Sequence, residues 1–216
     1  MKKTLLFTIA LFLTVFINAQ TFTENNITYE VTSSTTVKTT GYNTAGGTVV
    51  DIPATVTDNS ITYNITEIGV QSFFSSSLTS VTIPDSVEII GASAFSNNNN
   101  LTSATIGEGV TSIGTSAFFG ADLSSIIIPN NVVSIGQQAF DLNSLTSVTF
   151  GTSLITVGLK AFSNNNLTSI ALPQSLITIK GEAFKPYQSF KEGSLYQQLI
   201  EIIRKNNNWT DISHLQ

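Results

Sequence analysis

The sequence predicts a β-rich repeat solenoid of short strands, because its apolar residues return at one nearly constant interval. Phenylalanines recur in steps of 22, 23, 22, 22 and 22 residues, at Phe73, Phe95, Phe118, Phe140, Phe162 and Phe184. Six other apolar positions keep step with them, so that five successive units share one pattern of seven apolar columns. Such a period indicates stacked units, none of which buries its apolar side alone but which together share one continuous core.

Each unit contains two extended segments joined by turns. In "LTSVTI" (Leu78 to Ile83) apolar and polar residues alternate, as they do in a half-buried strand. Proline or glycine follows this strand, since proline lacks a ladder N–H and glycine permits a turn. A second short extended segment, such as "VTSIG", comes next. We expect the "xxAF" segment after it to form a helical turn that places the phenylalanine in the core.

Asparagine runs follow several of the phenylalanines. The third residue after the phenylalanine is a repeat position, occupied by Ser76, Asn98, Ala121, Asn143 and Asn165. A side-chain amide both donates and accepts, so we expect this position to point inward and to bond free backbone groups of the turn. One additional asparagine between Phe95 and Leu101 accounts for the single step of 23 and is interpreted as a loop insertion.

The unit "LTSVTIPDSVEIIGASAF" (Leu78 to Phe95) resembles the repeat of BspA-like bacterial leucine-rich-repeat proteins, and the likeness extends from Val50 to Phe184. It departs from the family at the third position, where serine, asparagine or alanine replaces a turn cysteine. The resemblance implies a right-handed leucine-rich-repeat solenoid that is secreted or displayed on the cell surface. It also implies a role in adhesion or in binding a host or partner protein, and it carries no shared catalytic residues.

Four segments are expected along the chain. Residues 1–19 have the order of a secretory signal peptide, with Lys2 and Lys3 before an apolar run and the small residue Ala19 at the cleavage point. The alternative, a membrane anchor, needs about 20 apolar residues. Residues 20–49 are expected to form an N-terminal β cap, and residues 50–185 the solenoid. No insertion into a membrane is expected once the signal peptide is removed.

Residues 186–216 are expected to form a C-terminal capping helix followed by a tail. Ser194 and Gln197 have the spacing of a capping box, and an apolar stripe follows one helical face. The members of this stripe are Leu195, Leu199, Ile202 and Ile203. A helix that binds a partner protein is the alternative interpretation.

Composition excludes several classes of function. The chain has no cysteine, so that neither disulfides nor thiolate chemistry is available. Without Lys2 and Lys3, 7 of the 9 basic residues remain against 14 acidic ones, a net charge of −7. Nucleic acids and anionic membranes attract basic patches, so neither is an expected partner.

No pattern predicts an enzyme, a metal site or a cofactor. The single histidine, His214, lies two residues from the end of the chain, without the neighbours of a catalytic triad or a metal site. The acidic residues are expected to fall in different columns, which argues against a carboxylate pair or a calcium ladder. They include Asp85, Glu108, Asp122 and Asp141. The glycines of "GEGVTSIG" (Gly107 to Gly114) are reminiscent of a phosphate loop, but the equivalent segments show them to be repeat positions.

Two faces are candidate binding surfaces. The outward positions of the first strand form two parallel rows of small, mostly hydroxylated side chains. Within each row, neighbouring members come from neighbouring strands and lie about 4.8 Å apart. The rows are Ser80, Ser103, Ser125, Ser147 and Ser169, and Thr82, Thr105, Ile127, Thr149 and Ala171. The alternative is that these side chains only solubilise a sheet. On the second strand one column turns apolar at Val133, Ile155 and Ile177, which indicates a partner-facing patch or a half-buried corner of the coil.

We therefore expect a non-enzymatic secreted or cell-surface protein that mediates adhesion or protein binding through one face of the solenoid. The expected partner is a protein of the extracellular matrix, of a host or of a neighbouring cell. The rows contain no Tyr or Trp on which a sugar ring stacks, so a glycan ligand is the weaker alternative. A structural spacer without a specific ligand is the other. Binding to ice or mineral would need unbroken hydroxyl rows, which Ile127 and Ala171 interrupt.

Overall fold

The computed structural model describes residues 20–185; the predicted signal peptide and the predicted C-terminal helix and tail lie outside them and remain predictions. Within residues 20–185 the chain forms fifteen strands, numbered here in chain order. They are β1 (Thr21–Glu24), β2 (Ile27–Val31), β3 (Thr36–Tyr42), β4 (Val49–Asp51), β5 (Thr55–Asp58), β6 (Ile61–Ile68), β7 (Ser80–Thr82), β8 (Ile89–Ile90), β9 (Ser103–Thr105), β10 (Ser112–Ile113), β11 (Ser125–Ile127), β12 (Ser134–Ile135), β13 (Ser147–Thr149), β14 (Thr156–Val157) and β15 (Thr178–Ile179). One turn of 3-10 helix, Thr44–Gly46, is the only helix in this part of the chain.

Parallel sheets run along the repeats. The second extended segments form a long sheet in the order β6-β8-β10-β12-β14-β15, and the first segments form two shorter sheets, β4-β7-β9 and β11-β13. Equivalent residues of successive units pair directly; Ile113, for example, pairs with Ile90 on one side and with Ile135 on the other. The prediction of a strand-rich repeat solenoid is confirmed.

Two β-hairpins with the same strand register extend the long sheet at its N-terminal end. The strands of β1-β2 and of β5-β6 pair in equivalent registers. Each hairpin turns through two residues at positive φ, as two-residue hairpin turns that match the strand twist require. These residues are Asn25 (48°) and Asn26 (65°), and Asn59 (47°) and Ser60 (68°). Since β3 pairs with both β2 and β6, the strands β1, β2 and β3 continue the long sheet of the solenoid.

The repeated apolar columns form one core in which the phenylalanine rings stack. Successive rings from Phe73 to Phe184 lie between 5.1 and 5.4 Å apart, measured from centroid to centroid, and are nearly parallel. Tyr42 continues the stack at the N-terminal end, 5.4 Å from Phe73. Such separations are typical of favourable aromatic pairs. Because each ring contacts the rings of adjacent units, the core belongs to the stack and not to any single unit.

The corner around each phenylalanine is not helical, contrary to expectation. The second residue before the phenylalanine has positive φ in every unit: Gln71 (57°), Ser93 (53°), Ser116 (54°), Gln138 (53°), Lys160 (55°) and Glu182 (56°). So does the second residue after it: Ser75 (50°), Asn97 (59°), Gly120 (64°), Leu142 (57°) and Asn164 (52°). Left-handed residues occur singly and interrupt a right-handed helix. The corner is therefore a tight turn with one left-handed residue on each side of the ring.

The asparagine at the third position points inward and bonds backbone groups, as expected. The Nδ2 of Asn165 donates to the carbonyl of Phe140 at 2.8 Å, and its Oδ1 accepts from the N–H of Leu145 at 3.0 Å. Asn98 and Asn143 bond the equivalent groups of the coils that precede them. Each amide therefore joins two successive coils.

The inserted asparagine coincides with a gap in this series of amides. Ala121 has no amide with which to bond the N–H of Leu101 or the carbonyl of Phe95. With one more residue in the turn, the N–H of Leu101 donates to the carbonyl of Asn98 at 2.8 Å. The Nδ2 of Asn98 also donates to the carbonyl of Phe95 at 2.9 Å. The loop insertion thus accompanies a new partner for the N–H of Leu101, whereas the bond to the Phe95 carbonyl has an equivalent without an insertion, from Asn165 to Phe162.

The expectation that the acidic residues fall in different columns is wrong for one pair. Asp85 and Glu108 occupy equivalent positions, because each directly follows the turn residue after the first strand of its unit, Pro84 or Gly107. The Oδ1 of Asp85 accepts from the N–H of Glu108 at 2.8 Å, and the Oε2 of Glu108 accepts from the N–H of Asn130 at 3.2 Å. These carboxylates therefore bond the backbone of the next coil.

Candidate binding faces

The two predicted rows lie on the outward side of β7, β9, β11 and β13, here called the first-strand face. Their members stand beside one another in register: Ser80 with Ser103, Thr82 with Thr105, Ser125 with Ser147, and Ile127 with Thr149. Ser80 is half-buried and the other seven are exposed. The strands of the solenoid therefore hold these side chains at fixed intervals on one surface.

The rows differ from the prediction at both ends. Ser169 and Ala171 are exposed but do not lie in a strand. At the other end β4 adds Val49 beside Ser80 and Asp51 beside Thr82, neither of which belongs to the predicted rows. The signal was present, because Val50 fits a core column and its two neighbours must then point outward.

The first-strand face is divided between β9 and β11. No ladder pairs β9 with β11, whereas β7 pairs with β9 and β11 with β13. Two exposed aliphatic side chains lie on this face among the hydroxyl groups and the carboxylate of Asp51, namely Ile127, which is 68% exposed, and Val49, which is 66% exposed. The face therefore offers separated apolar contacts among hydroxyl groups.

Val133, Ile155 and Ile177 form a column at the turn that leads into the long sheet, one residue before β12, β14 and β15, here called the apolar column. The N–H of each later member donates to the carbonyl of the one before it, at 2.9 and 3.0 Å, so the three residues stack directly. They are 41%, 39% and 56% exposed; that this column faces a partner stays a prediction. Towards the N-terminus the same column continues with the exposed residues Thr111 and Glu88.

A shallow furrow follows the glycine column of the long sheet. Its lining includes Gly114, Gly136 and Gly158, and Lys180 lies at its C-terminal end. One edge carries Ser112, Ser134 and Thr156, and the other carries Thr115, Gln137 and Leu159. At these glycines successive coils approach too closely for a side chain, since a Cβ on Gly136 would lie 2.6 Å from the carbonyl carbon of Gly114.

Charge is unevenly distributed along the chain. Between residues 20 and 158 there are ten acidic residues and one basic residue, Lys38, which pairs with Glu30 at 3.1 Å. In the last units Glu182 lies 3.4 Å from the Nζ of Lys160 and 3.6 Å from that of Lys185. Partial burial acts to raise the pKa of Glu182, but the two ammonium groups outweigh it and hold the pKa below its ordinary value. Most of the solenoid therefore has an acidic surface.

No group of three or more metal-ligating side chains comes together among residues 20–185. Burial, with a smaller contribution from the charge of Glu24, raises the pKa of Tyr29 to about 12, and burial also raises the pKa of Tyr42. Both phenols therefore stay protonated at neutral pH. No helix of this part of the chain is long and apolar enough to cross a membrane.

The stacked coils, the paired parallel sheets and the shared phenylalanine core define a leucine-rich-repeat solenoid. The model of the BspA type leucine-rich-repeat region matches the chain in six copies, over residues 15–142, 66–191 and 113–214. The chain therefore belongs to the BspA type leucine-rich-repeat family, as its repeat pattern predicts.

Several solved bacterial proteins have a similar fold. A leucine-rich repeat protein from Bacteroides capillosus is 33% identical over 60% of this chain and 97% of its own, with a TM-score of 0.56. One from Bacteroides ovatus is 30% identical over 76% of this chain and 50% of its own, with a TM-score of 0.56. A leucine-rich cell surface protein from Faecalibacterium prausnitzii is 27% identical over 76% and 52%, again with a TM-score of 0.56. This chain thus spans about half the length of the latter two. Among curated proteins none matches the chain.

Proposed function

We propose that this protein is exported, has no enzymatic activity, and binds a protein partner through the first-strand face. The observation that carries the proposal is the register of the two exposed rows, which β7, β9, β11 and β13 hold on a stacked core. Solenoids use extended surfaces of this kind for binding, because each unit adds the same contact at the next interval.

The composition of this face favours a protein over a glycan. Hydroxyl groups stand beside the exposed aliphatic side chains of Val49 and Ile127, and no Tyr or Trp lies in the rows. Protein interfaces combine apolar contacts with hydrogen bonds in this way. The acidic surface favours a partner that is neutral or basic, since like charges repel.

Export is supported by the order of residues 1–19 and by the family. The charged, apolar and small residues of this segment follow one another as in a secretory signal peptide, and a protein of similar fold is a cell surface protein. Expression in a secreting bacterial host should yield a chain that begins at Gln20, as N-terminal sequencing would show. A full-length chain retained in the cell would contradict export.

Binding is tested with the chain from Gln20 to Gln216 on an immobilised panel of extracellular-matrix proteins and polysaccharides. The double variant Ser125→Lys, Thr149→Lys places two cations on the first-strand face, where both residues are exposed. Thr111→Lys, Gln137→Lys is the matched control, since it adds the same charge at exposed positions of the long sheet. We expect saturable binding to a protein, lost in the first variant and kept in the second.

Other results would change the proposal in defined ways. Saturable binding to a polysaccharide alone would replace the protein partner with a glycan. Equal loss in both double variants would move the site away from the first-strand face. Absence of binding by a chain that unfolds cooperatively would favour the structural spacer.

A further inference from the structure

The apolar column is an unusual feature of a protein surface, because stacked and exposed aliphatic side chains favour association. Its polarity changes along the solenoid axis. Glu88 and Thr111 occupy the column in the earlier units, and Val133, Ile155 and Ile177 occupy it in the later ones. The apolar part therefore lies in the units nearest to the C-terminal segment of the chain.

Along the chain, the column begins with polar residues and ends with apolar ones, whereas the C-terminal segment begins with apolar residues and ends with a charged one. From Ser194 onwards the apolar residues Leu195, Leu199 and Ile202 come first, and the cation Lys205 follows. On a helix these three apolar residues share one face, and Lys205 lies at the border of that face. A helix that starts near Ile177 and runs back towards the N-terminal units would meet apolar residues first and the carboxylate of Glu88 last.

The spacings agree as well. Neighbouring strands of a sheet lie about 4.8 Å apart, so Val133 is roughly 10 Å from Ile177 and Glu88 is roughly 19 Å from it. A helix rises about 1.5 Å per residue, so Ile202 is roughly 10 Å beyond Leu195 and Lys205 roughly 15 Å beyond it. The long lysine side chain extends over the remaining distance.

The connection is long enough. Lys185 is held against the preceding coil, where its carbonyl accepts from the N–H of Asn164 at 2.6 Å and from the Oγ of Ser163 at 3.2 Å. The nine residues 186–194 then span up to about 30 Å when extended. That length is sufficient to reach the long sheet from the phenylalanine corner of the last unit.

We propose that residues 194–205 dock on the long sheet, with Leu195 on Ile177, Leu199 on Ile155, Ile202 on Val133 and Lys205 towards Glu88. This proposal is independent of the proposed function. Its consequence is that the chain covers its own apolar column, so the first-strand face is the surface left for a partner.

Engineered disulfides test the docking directly, because the chain contains no cysteine and every thiol is therefore an introduced one. A disulfide needs Cα atoms within about 7 Å. The matched double variants are Ile177→Cys with Leu195→Cys, and Val133→Cys with Ile202→Cys. The mismatched control is Ile177→Cys with Ile202→Cys. After mild oxidation we expect intramolecular disulfides in both matched variants and none above background in the control, as peptide mass mapping would show.

Two substitutions test the chemistry of the contact. Ile155→Asp should release the segment and speed tryptic cleavage after Lys205 roughly tenfold, the factor that corresponds to about 1.4 kcal/mol; Thr149→Asp on the first-strand face should not. Glu88→Lys should lower the disulfide yield of the Val133 and Ile202 pair, and a further Lys205→Glu change should restore it.

Three results would overturn the proposal. The first is a disulfide yield that is no higher in the matched than in the mismatched variants, as expected if the segment covers only the end of the core. The second is disulfides that form between chains and rise with concentration, which would make a second copy the occupant. The third is tryptic cleavage that Ile155→Asp does not change. None of these assays uses a partner, so their outcome is separate from that of the binding panel.

Discussion

At the scale of single residues, one buried amide joins two successive coils at three of the phenylalanine corners, those of Asn98, Asn143 and Asn165. The position could be predicted from the sequence, since only a side chain that donates and accepts serves two backbone groups at once. That the turn with the inserted asparagine compensates for the missing amide at Ala121 could not be predicted from the sequence. It depends on which backbone groups of the previous coil lack a partner, and those groups are identified only when the coils are stacked.

Asn143→Ala should lower the free energy of unfolding by about 2–4 kcal/mol, because it leaves the buried N–H of Leu123 and carbonyl of Phe118 without partners. Asn166→Ala is the matched control, since Asn166 belongs to an asparagine run but is exposed. Urea unfolding followed by circular dichroism measures both. A loss below about 1 kcal/mol at Asn143 would contradict the role of the amide.

Leu142→Asn should raise stability by about 1 kcal/mol, because Leu142 holds the left-handed conformation with φ of 57° and is exposed on the surface. The same column contains Asn97, Gly120 and Asn164, residues that tolerate this conformation. Leu142→Ala keeps a Cβ without the amide and should give no gain. Thermal unfolding of the three chains is the measurement, and a lower midpoint for the asparagine variant than for the alanine variant would contradict the interpretation.

At the scale of elements, the strands could be predicted and the corners could not. Alternation in "LTSVTI" follows directly from one buried and one exposed side of a strand. The corners were expected to be helical turns, but left-handed residues flank each ring, and several are Ser, Gln, Lys or Glu. These residues give no sequence signal for positive φ as glycine or asparagine does.

The glycine column determines how closely two coils approach each other. A Cβ on Gly136 would lie 2.6 Å from the carbonyl carbon of Gly114, whereas a Cβ on Gly181 would meet nothing closer than Leu159 Cδ1 at 3.6 Å. Gly136→Ala should therefore cost at least about 2 kcal/mol, and Gly181→Ala less than about 0.5 kcal/mol. Chemical unfolding of the two variants in parallel is the test; similar losses would mean that close approach does not explain the column.

At the scale of the whole molecule, the repeat explains both stability and surface. Without disulfides, the chain depends on a core that every unit shares with its neighbours. The two rows and the apolar column are consequences of the same period, because positions that recur every 22 residues must stack. The partner-binding face depends on exposed side chains, and the period does not constrain their identity. Val49 and Ile127 illustrate this, because they occupy row positions at which other units have Ser or Thr.

A coil of 22 residues is the structural unit from which the core and both candidate faces follow. Deleting residues 127–148 removes one complete period and joins Ile126 to Thr149, so every column stays in phase. Deleting residues 127–147 joins Ile126 to Val148 instead and puts two core residues side by side, which directs one of them to the outward side of the strand.

Thermal unfolding of the two deletion variants beside the parent chain is the most direct measurement. The 22-residue deletion should give one cooperative transition at a moderately lower temperature, since a shorter stack has fewer interfaces. The 21-residue deletion should unfold at a much lower temperature or without cooperativity. Equal midpoints for the two variants, or failure of the 22-residue deletion to fold, would contradict the repeat as the unit of this structure.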